Sequence, residues 1–546
     1  MKKYINIILS ISLFVPIYGR ENPNDNASSS SIWSRFAGKT TAIDQYSLIN
    51  IGNMEYWVKE DGTSCHTAEG GSGGIYPRST AGAIYLDGVL VGGYQGGNLK
   101  VSGQIYRTGT VKGYIGANGV ATDGVRMYRI RKDWATLSPA MVRQETAEYF
   151  EIPIGSVSDA DIQVVLDNYA TDWAEWPTHL GAPYYDLNNN GVYEPDLGET
   201  PGIANADQVL WFVCNDGDPT TTADLYGTEP MNIEMQMTLW GYNQPGASLG
   251  QIVFKQIRII NKSSEDITDA YISQWSDPDL GDYGNDLVGV DTSLSLMYAY
   301  NGEATDAQYS AFGLAPAAIG YDYSAGPKVV SPGDTAIFNL KKLPGYKNLP
   351  ASSFGYFSAG GTYSDPGPYG NVEAAREYYN LMRGYAPIDD LDNPTAWLDE
   401  NGAPTRYPYA GDPVSGTGHL DSSPGDRRML INAGPFTLAA GDTQDVVEAV
   451  VGGLGDNQLS SITDMKFTDQ VAQALFDDLF QSVPSAPSAP KVSVTTTEES
   501  VVLNWGDDLE AIYATEDDTT AGYYFEGYNV YQLPTATSSL DDAVKI

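Results

Sequence analysis

The stretch Met231-Asn232-Ile233-Glu234-Met235-Gln236-Met237-Thr238-Leu239-Trp240 indicates the fold class of this chain. Every second residue from Met231 to Leu239 is apolar, and the residues between them are polar. A period of two residues is typical of an antiparallel strand with one face buried and the other towards solvent. The run 251–261 predicts a neighbouring strand, and Asp87-Gly88 between apolar residues predicts a hairpin turn. We therefore expect a mainly β protein built from antiparallel β-sandwich-like domains.

Helices should be few and inserted between strands. Ser138 followed by Pro139 is a typical helix start, and Ser158 with Asp161 forms a capping box. Further helices are predicted over 372–383 and 462–480, the second as the last element of the main body.

The composition of the chain argues against some classes of binding partner. The chain has 546 residues, with 30 Lys and Arg against 70 Asp and Glu, so its formal net charge is −40. A field this negative repels phosphate backbones and anionic lipids, which argues against nucleic-acid binding and membrane attachment. Cations are the natural counterparts of such a surface.

The N-terminus predicts export. Lys2 and Lys3 precede an apolar run over 4–15, and a polar segment follows from residue 20. This pattern is typical of a secretory signal peptide over 1–19. The apolar run is shorter than the about 20 residues that cross a bilayer, and no later run reaches that length, so we expect no membrane insertion.

A linker and a second module follow the main body. Residues 484–490 read Pro-Ser-Ala-Pro-Ser-Ala-Pro, which favours an extended spacer. The segments Val501-Val502-Leu503-Asn504-Trp505 and Phe525-Glu526-Gly527-Tyr528-Asn529-Val530-Tyr531 then resemble a fibronectin type III domain over 487–533. That family needs about 90–100 residues, so we expect this module to be incomplete.

Residues 41–480 resemble a group of large secreted and cell-surface proteins of bacteria with type IX secretion. The resemblance is carried by Asn50-Ile51-Gly52-Asn53-Met54-Glu55-Tyr56-Trp57, Gln274-Trp275-Ser276-Asp277-Pro278-Asp279-Leu280-Gly281-Asp282, Gly425-Asp426-Arg427-Arg428 and Gly434-Pro435-Phe436. It implies an extracellular or cell-surface location and no particular reaction.

These observations divide the chain into six parts. They are a signal peptide (1–19), a flexible polar segment (20–40), a β-rich region with a helical insertion and a calcium-type loop (41–230), a sandwich-like region ending in a helix (231–480), a Pro/Ser/Ala linker (481–490) and a partial fibronectin type III domain (491–546).

One loop has the spacing of a calcium site. Asp186, Asn188 and Asn190 supply oxygen side chains at positions 1, 3 and 5, Gly191 allows the sharp turn, and Val192 can offer its carbonyl. Position 12 is Leu197 rather than the usual Glu. The closing carboxylate would then come from Glu194, Asp196 or Glu199. The alternative is an Asn/Gly-rich turn without metal.

A second acidic run contains five aspartates without an intervening Lys or Arg: Asp277, Asp279, Asp282, Asp286 and Asp291. It is a second cation site or an acidic ligand-binding rim, or else a set of solvated carboxylates that cap backbone amides in Gly-containing turns. We expect any Ca²⁺ in this protein to be structural.

Catalytic patterns are weak, so enzymatic activity stays uncertain. The three histidines, His66, His179 and His419, are scattered, and no nucleotide-binding or CxxC motif is present. The two cysteines, Cys65 and Cys214, either form one disulfide or are two unpaired thiols.

The sequence favours a secreted or cell-surface, calcium-stabilised binding or scaffold protein. Its ligand would be an extracellular protein or a glycan. The alternative is a secreted carbohydrate-active enzyme or glycan-binding protein, in which two carboxylates face each other across an aromatic-lined cleft.

Overall fold

The computed structural model describes residues 45–122, 124–203 and 205–483, followed by 492–496, 500–506, 508–517, 525, 527–528, 530–532 and 544–545. The predicted signal peptide, the polar segment 20–40 and the linker residues 484–490 lie outside the described residues. Elements are numbered along the chain.

Two large antiparallel sheets form the body. The nine-stranded sheet contains, in spatial order, β15 (Asp286–Asp291), β16 (Leu296–Asn301), β17 (Ala318–Ala325), β24 (Thr443–Gly453), β13 (Ile252–Asn261), β12 (Ile233–Gly241), β11 (Gln208–Asn215) and β7 (Val111–Lys112), with β8 (Tyr128–Arg131) also paired to β11. The five-stranded sheet contains β20 (Ser353–Ser358), β23 (Arg427–Leu438), β14 (Ile267–Asp277), β5 (Leu86–Gln95) and β6 (Asn98–Gly103). The prediction of a mainly β, antiparallel fold is confirmed.

Smaller sheets surround this body. A four-stranded sheet contains β1 (Tyr46–Ile49), β2 (Glu55–Lys59), β3 (Gly74–Ile75) and β4 (Gly82–Ile84). The two-stranded ribbons pair β9 (Tyr184–Tyr185) with β10 (Thr200–Pro201), β18 (Lys328–Phe338) with β19 (Lys341–Asn348), β21 (Trp397–Leu398) with β22 (Pro404–Thr405), β25 (Ser493–Thr496) with β26 (Val501–Asn504), and β27 (Tyr531–Gln532) with β28 (Val544–Lys545).

The described helices are α1 (Pro139–Tyr149), α2 (Asp159–Ala174), α3 (Pro219–Tyr226), α4 (Ala307–Ala311), α5 (Val372–Met382), α6 (Gln458–Asp477) and α7 (Leu509–Glu516). Four were predicted, including α2 with its Ser158–Asp161 capping box. Helix α6 begins earlier than predicted because Asn457 and Ser460 cap it. None of these helices has the length and apolar character needed to cross a membrane.

The layers are a helix, two sheets and a second helix. Between the sheets lies a core that includes Leu239, Ile257, Ile272 and Ile431. Helix α6 packs on the outer face of the nine-stranded sheet, and α5 packs on the outer face of the five-stranded sheet. Both large sheets are therefore covered on both sides.

This covering corrects the expectation that the strand at Met231–Trp240 is half buried. Every residue of β12 is buried, including the polar Glu234, Gln236 and Thr238. The outward face meets other parts of the protein rather than water. The side-chain amide of Gln236, for example, donates to the carbonyl of Leu180 at 2.8 Å.

The predicted hairpin at Asp87-Gly88 is wrong, because both residues lie inside β5. The Asp87 carboxylate is fully buried and accepts hydrogen bonds from the hydroxyls of Tyr56 at 2.7 Å and Tyr321 at 2.8 Å. At Gly88, a Cβ atom would lie 2.4 Å from the carbonyl oxygen of Gln104. Tertiary contacts therefore explain why Asp87-Gly88, a dipeptide typical of turns, occurs inside a strand.

The regions 41–230 and 231–480 share their sheets. Strands β11 and β12 lie on either side of residue 230 and pair from Gln208–Gly241 to Asn215–Glu234. In the five-stranded sheet, β5 from the first region pairs with β14 from the second. The division at residue 230 therefore does not separate two sheets.

Within 491–546 the described residues form the β25–β26 hairpin, α7 and the short β27–β28 pair. The rings of Trp505 and Tyr528 lie 5.4 Å apart between centroids. The fibronectin type III assignment stays a prediction.

Candidate metal centre

A group of buried aspartates lies where the chain passes from one large sheet to the other. Strand β14 ends at Asp277 in the five-stranded sheet, and β15 begins at Asp286 in the nine-stranded sheet. Because β14 and β23 are antiparallel, with Ser276 opposite Met429, the end of β14 lies beside the start of β23. This register brings Asp426 to the same place.

We call the four residues Asp277, Asp279, Asp426 and Asp286 the aspartate cluster. The first three form its centre. Each of the first three offers a carboxylate oxygen, and these oxygens lie within 4.8 Å of one another. Asp277 and Asp279 are buried, and Asp426 is half-buried. Two oxygens bound to one Ca²⁺ are separated by at most about 5 Å, because each Ca–O distance is about 2.3–2.6 Å. The three oxygens therefore satisfy this limit.

One cation of the protein lies beside the cluster. The guanidinium of Arg428 contacts Asp426 at 2.6 Å through Nη1 and Asp277 at 3.4 Å through Nε. The hydroxyl of Tyr106 donates to the second oxygen of Asp277 at 2.7 Å and accepts from Arg428. Burial raises the pKa of Asp277, Arg428 opposes that shift, and Asp426 adds to it.

Asp286 is buried with one of its two carboxylate oxygens unsatisfied. Its side chain is fully buried, and its Oδ1 has no hydrogen-bond partner. Its Oδ2 accepts the amide of Leu280 at 3.3 Å. Burial raises the pKa of Asp286 well above its usual value, and the neighbouring charge of Asp279 raises it further. A buried carboxylate oxygen without a donor is costly unless the group keeps a proton or meets a cation.

The chemistry of this donor set fits a hard cation. All the groups are carboxylates, whose oxygens Ca²⁺ prefers, and a bound cation would favour the ionised form of these buried acids. Bound Ca²⁺ would be held by Asp277, Asp279 and Asp426, and Asp286, whose carboxyl interacts electrostatically with Asp279 and Asp277, would add negative charge nearby. It would join the ends of β14, β15 and β23.

The structure brings together part of the predicted acidic run. Asp282 is exposed and accepts the backbone amide of Gly284 at 2.9 Å, which is a capping role. Asp291 lies at the far end of β15 and pairs with Lys466 at 2.9 Å. Sequence reasoning missed Asp426 as a site residue, although it lies in one of the segments that carry the family resemblance.

The loop 186–199 brings four of its predicted ligands together. The side-chain amides of Asn188 and Asn190 both donate to one oxygen of Glu194, at 2.9 Å and 2.7 Å. Asp186 accepts the amides of Asn190 at 3.2 Å and Gly191 at 2.8 Å, and the Gly191 bond is the largest cause of a lowered pKa at Asp186. A Ca²⁺ ion would require both asparagines to present their amide oxygens instead.

The other three residues predicted as calcium ligands in this loop do not lie with these four. Glu199 is buried and accepts the backbone amides of Leu187 at 3.1 Å and Glu194 at 2.7 Å, so it closes the loop from inside. The amide of Val192 donates to Asn190 at 2.7 Å. Asp196 lies in the short turn Pro195–Leu197 and is exposed. The closing acid that best faces the asparagines is therefore Glu194.

The cysteines are free thiols in this structure, which is the unpaired one of the two alternatives. Both are buried. The Cys65 sulfur lies 3.5 Å from Asp87, and the Cys214 sulfur lies 3.9 Å from the side-chain amide of Gln104. Burial is the largest cause of the raised pKa of both thiols, and the charge of a nearby aspartate raises each pKa further.

The histidines lie in separate environments within the described residues. The His66 ring packs edge-on to Tyr85, and His419 accepts the amide of Tyr409 at 3.4 Å. His179 lies in the short turn Thr178–Leu180. These contacts do not assemble a histidine-based catalytic site.

A comparison with protein-family models and a search of curated proteins found no match to this chain.

Proposed function

We propose that this chain is a secreted or cell-surface binding or scaffold protein whose body is stabilised by Ca²⁺. The observation that carries the proposal is the aspartate cluster, where three carboxylate oxygens lie within 4.8 Å of one another. A structural cation there would offset like charges that burial makes costly.

The loop 186–199 supports the same proposal from a different part of the chain. Asp186, Asn188, Asn190 and Glu194 converge on one side of a loop whose ends are joined by β9 and β10. With two neutral amides among its ligands, this loop should bind Ca²⁺ weakly, in the range of about 10⁻⁴–10⁻³ M that extracellular modules use.

In this proposal the protein acts by display, which means that it presents a rigid surface to a binding partner. The cluster ties the two large sheets together at one end, and the loop holds an acidic surface in one conformation. A rigid surface loses less conformational entropy when it binds a partner. The partner would be an extracellular protein or a glycan. The signal-peptide pattern in residues 1–19 supports export.

The test is thermal unfolding of the full chain in EDTA and in 1–5 mM Ca²⁺ (about the upper end of the expected affinity range), with Mg²⁺ as the control ion. We expect Ca²⁺ to raise the unfolding temperature and Mg²⁺ to raise it less, because Mg²⁺ sheds its waters reluctantly. Equal unfolding temperatures in EDTA and Ca²⁺ would overturn a structural role for calcium. A protein and glycan array with and without Ca²⁺ then tests the display role.

A further inference from the structure

A second candidate site lies between β2 and α1 and contains no residue of the aspartate cluster or of the loop 186–199. A cavity of about 430 Å³ is lined by residues of β2, β3 and α1 and of nearby loops, including Glu55 of β2, Ile75 of β3 and Glu148 of α1. Pockets that hold small ligands commonly measure about 300–1,000 Å³. This cavity is therefore large enough for a small molecule.

The polar wall of the cavity is acidic. Its lining residues include three glutamates, Glu55, Glu148 and Glu151, and no lysine or arginine. The nearest arginine, Arg78, is committed to Glu148 through two contacts of 2.8 Å and 2.7 Å. Glu148 also accepts the side-chain amide of Asn50 at 2.6 Å. The Glu148 charge is thus balanced within the protein.

Glu55 differs from Glu148 because no described lysine or arginine forms an ion pair with it. The residue is 4% exposed, and its Oε1 accepts the backbone amide of Ser79 at 2.8 Å. Burial, then the charge of Glu148, raises the pKa of Glu55 to about 8, while the Ser79 amide and Arg78 lower it and Glu151 raises it. Because the effects of burial and of Glu148 outweigh those of the Ser79 amide and Arg78, this carboxyl favours its protonated form at neutral pH.

Of the other lining residues, Thr67, Ser79 and Gln144 are polar and uncharged, and the remaining five are apolar. Ile75 and Ile152 are half-buried, Trp57 and Ala147 are buried, and Ile154 is 37% exposed at the rim. An apolar wall beside an uncompensated acid complements a ligand with a positive end and an aliphatic chain. Carboxylates and phosphates would find no cation in this lining, which contains no lysine or arginine. A neutral polyol could bond to the protonated Glu55, but it could not form an ion pair with the ionised carboxyl.

We propose that this cavity binds a small aliphatic amine, with its ammonium group paired to Glu55 and its chain against Ile75 and Ile152. This inference is independent of the calcium sites, because none of their residues lines the cavity. Binding couples to a proton. An ammonium group favours the ionised carboxyl, so the amine should displace the proton of Glu55, which passes to the buffer.

The test is isothermal titration of the full chain with 1,5-diaminopentane in EDTA. Measurements at pH 7 in two buffers of different ionisation enthalpy count the protons exchanged. We expect nearly one proton released per amine bound at pH 7 and almost none at pH 9.5. The affinity should rise by up to about tenfold per pH unit from pH 6 to pH 8. 1,5-Pentanediol should bind far more weakly.

Two variants complete the test. Glu55→Gln should abolish amine binding and proton release, whereas Glu303→Gln, which removes an exposed acid elsewhere, should leave both unchanged. A diol that binds as well as the diamine, an amine that binds without releasing a proton at pH 7, or equal losses in both variants would overturn the proposal. The proton count on the unmodified protein decides even if Glu55→Gln does not fold. A missing calcium effect on unfolding, by contrast, bears only on the metal sites.

Discussion

Asp286→Asn should change the stability of this protein in opposite directions with and without calcium. Asp286 is fully buried, its Oδ1 has no hydrogen-bond partner, and burial followed by the charge of Asp279 raises its pKa well above the usual range. Asparagine has nearly the same shape and cannot ionise. In EDTA the substitution therefore removes a cost, and in calcium it removes a negative charge that favours the ion.

The sign of the pH effect follows from the raised pKa. In the unfolded chain an aspartate loses its proton near pH 3.9, whereas the folded chain holds the proton of Asp286 to higher pH. The stability that this group contributes is complete below the unfolded pKa and is lost as the pH rises towards the folded pKa. The loss is about 1.4 kcal/mol per pH unit. In EDTA, Asp286→Asn should thus gain up to about 3 kcal/mol on the unmodified protein between pH 5 and pH 7.

The assay is urea unfolding followed by tryptophan fluorescence at pH 5 and pH 7, in EDTA and in Ca²⁺. The unmodified protein should recover its stability at pH 7 when Ca²⁺ is added, and Asp286→Asn should recover less. Asp282→Asn is the matched control, because Asp282 is an exposed acid on the same connection. If Asp286→Asn is destabilised equally at both pH values and in both solutions, Asp286 acts only through its hydrogen bond to Leu280 and the reasoning fails.

Two further predictions concern the core. Lys255→Met should lower the free energy of unfolding by about 3–5 kcal/mol, because it leaves Glu448, now 2.9 Å from the lysine, as an unpaired buried charge. The double variant Lys255→Met/Glu448→Leu should be more stable than the single one in the same urea titration, and a less stable double variant would contradict this. Cys65 and Cys214 should react with a thiol reagent only after unfolding, and reductant should leave the unfolding temperature unchanged. A lower unfolding temperature in reductant would indicate a disulfide.

Local sequence patterns predicted the positions of strands and helices better than they predicted which of their side chains are buried. The alternation from Met231 identified β12, and the Ser158 capping box identified the start of α2. The same alternation wrongly suggested a solvated face for β12, because Phe480, which follows α6, and the segment near Leu180 cover that side of the strand. Asp87-Gly88 failed as a turn since Tyr56 and Tyr321, which are distant in sequence, hold the carboxylate inside β5.

The candidate sites divide in the same way. The loop 186–199 could be predicted because its oxygen donors repeat every second residue within one turn, so spacing alone brings Asp186, Asn188 and Asn190 together. The aspartate cluster could be predicted only in part. Its Asp277 and Asp279 are two residues apart, whereas Asp426 arrives through the pairing of β14 with β23.

By itself, the sequence determined the strand period, the helix starts, the spacing of oxygen side chains in the loop 186–199 and the acidic net charge. Only the tertiary structure decided which acids are buried together and which stay in solvent. The physical reason is that water solvates an exposed carboxylate, whereas a carboxylate buried between two sheets needs a hydrogen-bond donor, a proton or a cation. That exclusion depends on strand register and on the second layer, which no local pattern encodes. Asp282 and Asp286 lie on one short connection, yet one caps a turn in solvent and the other is buried beside Asp279.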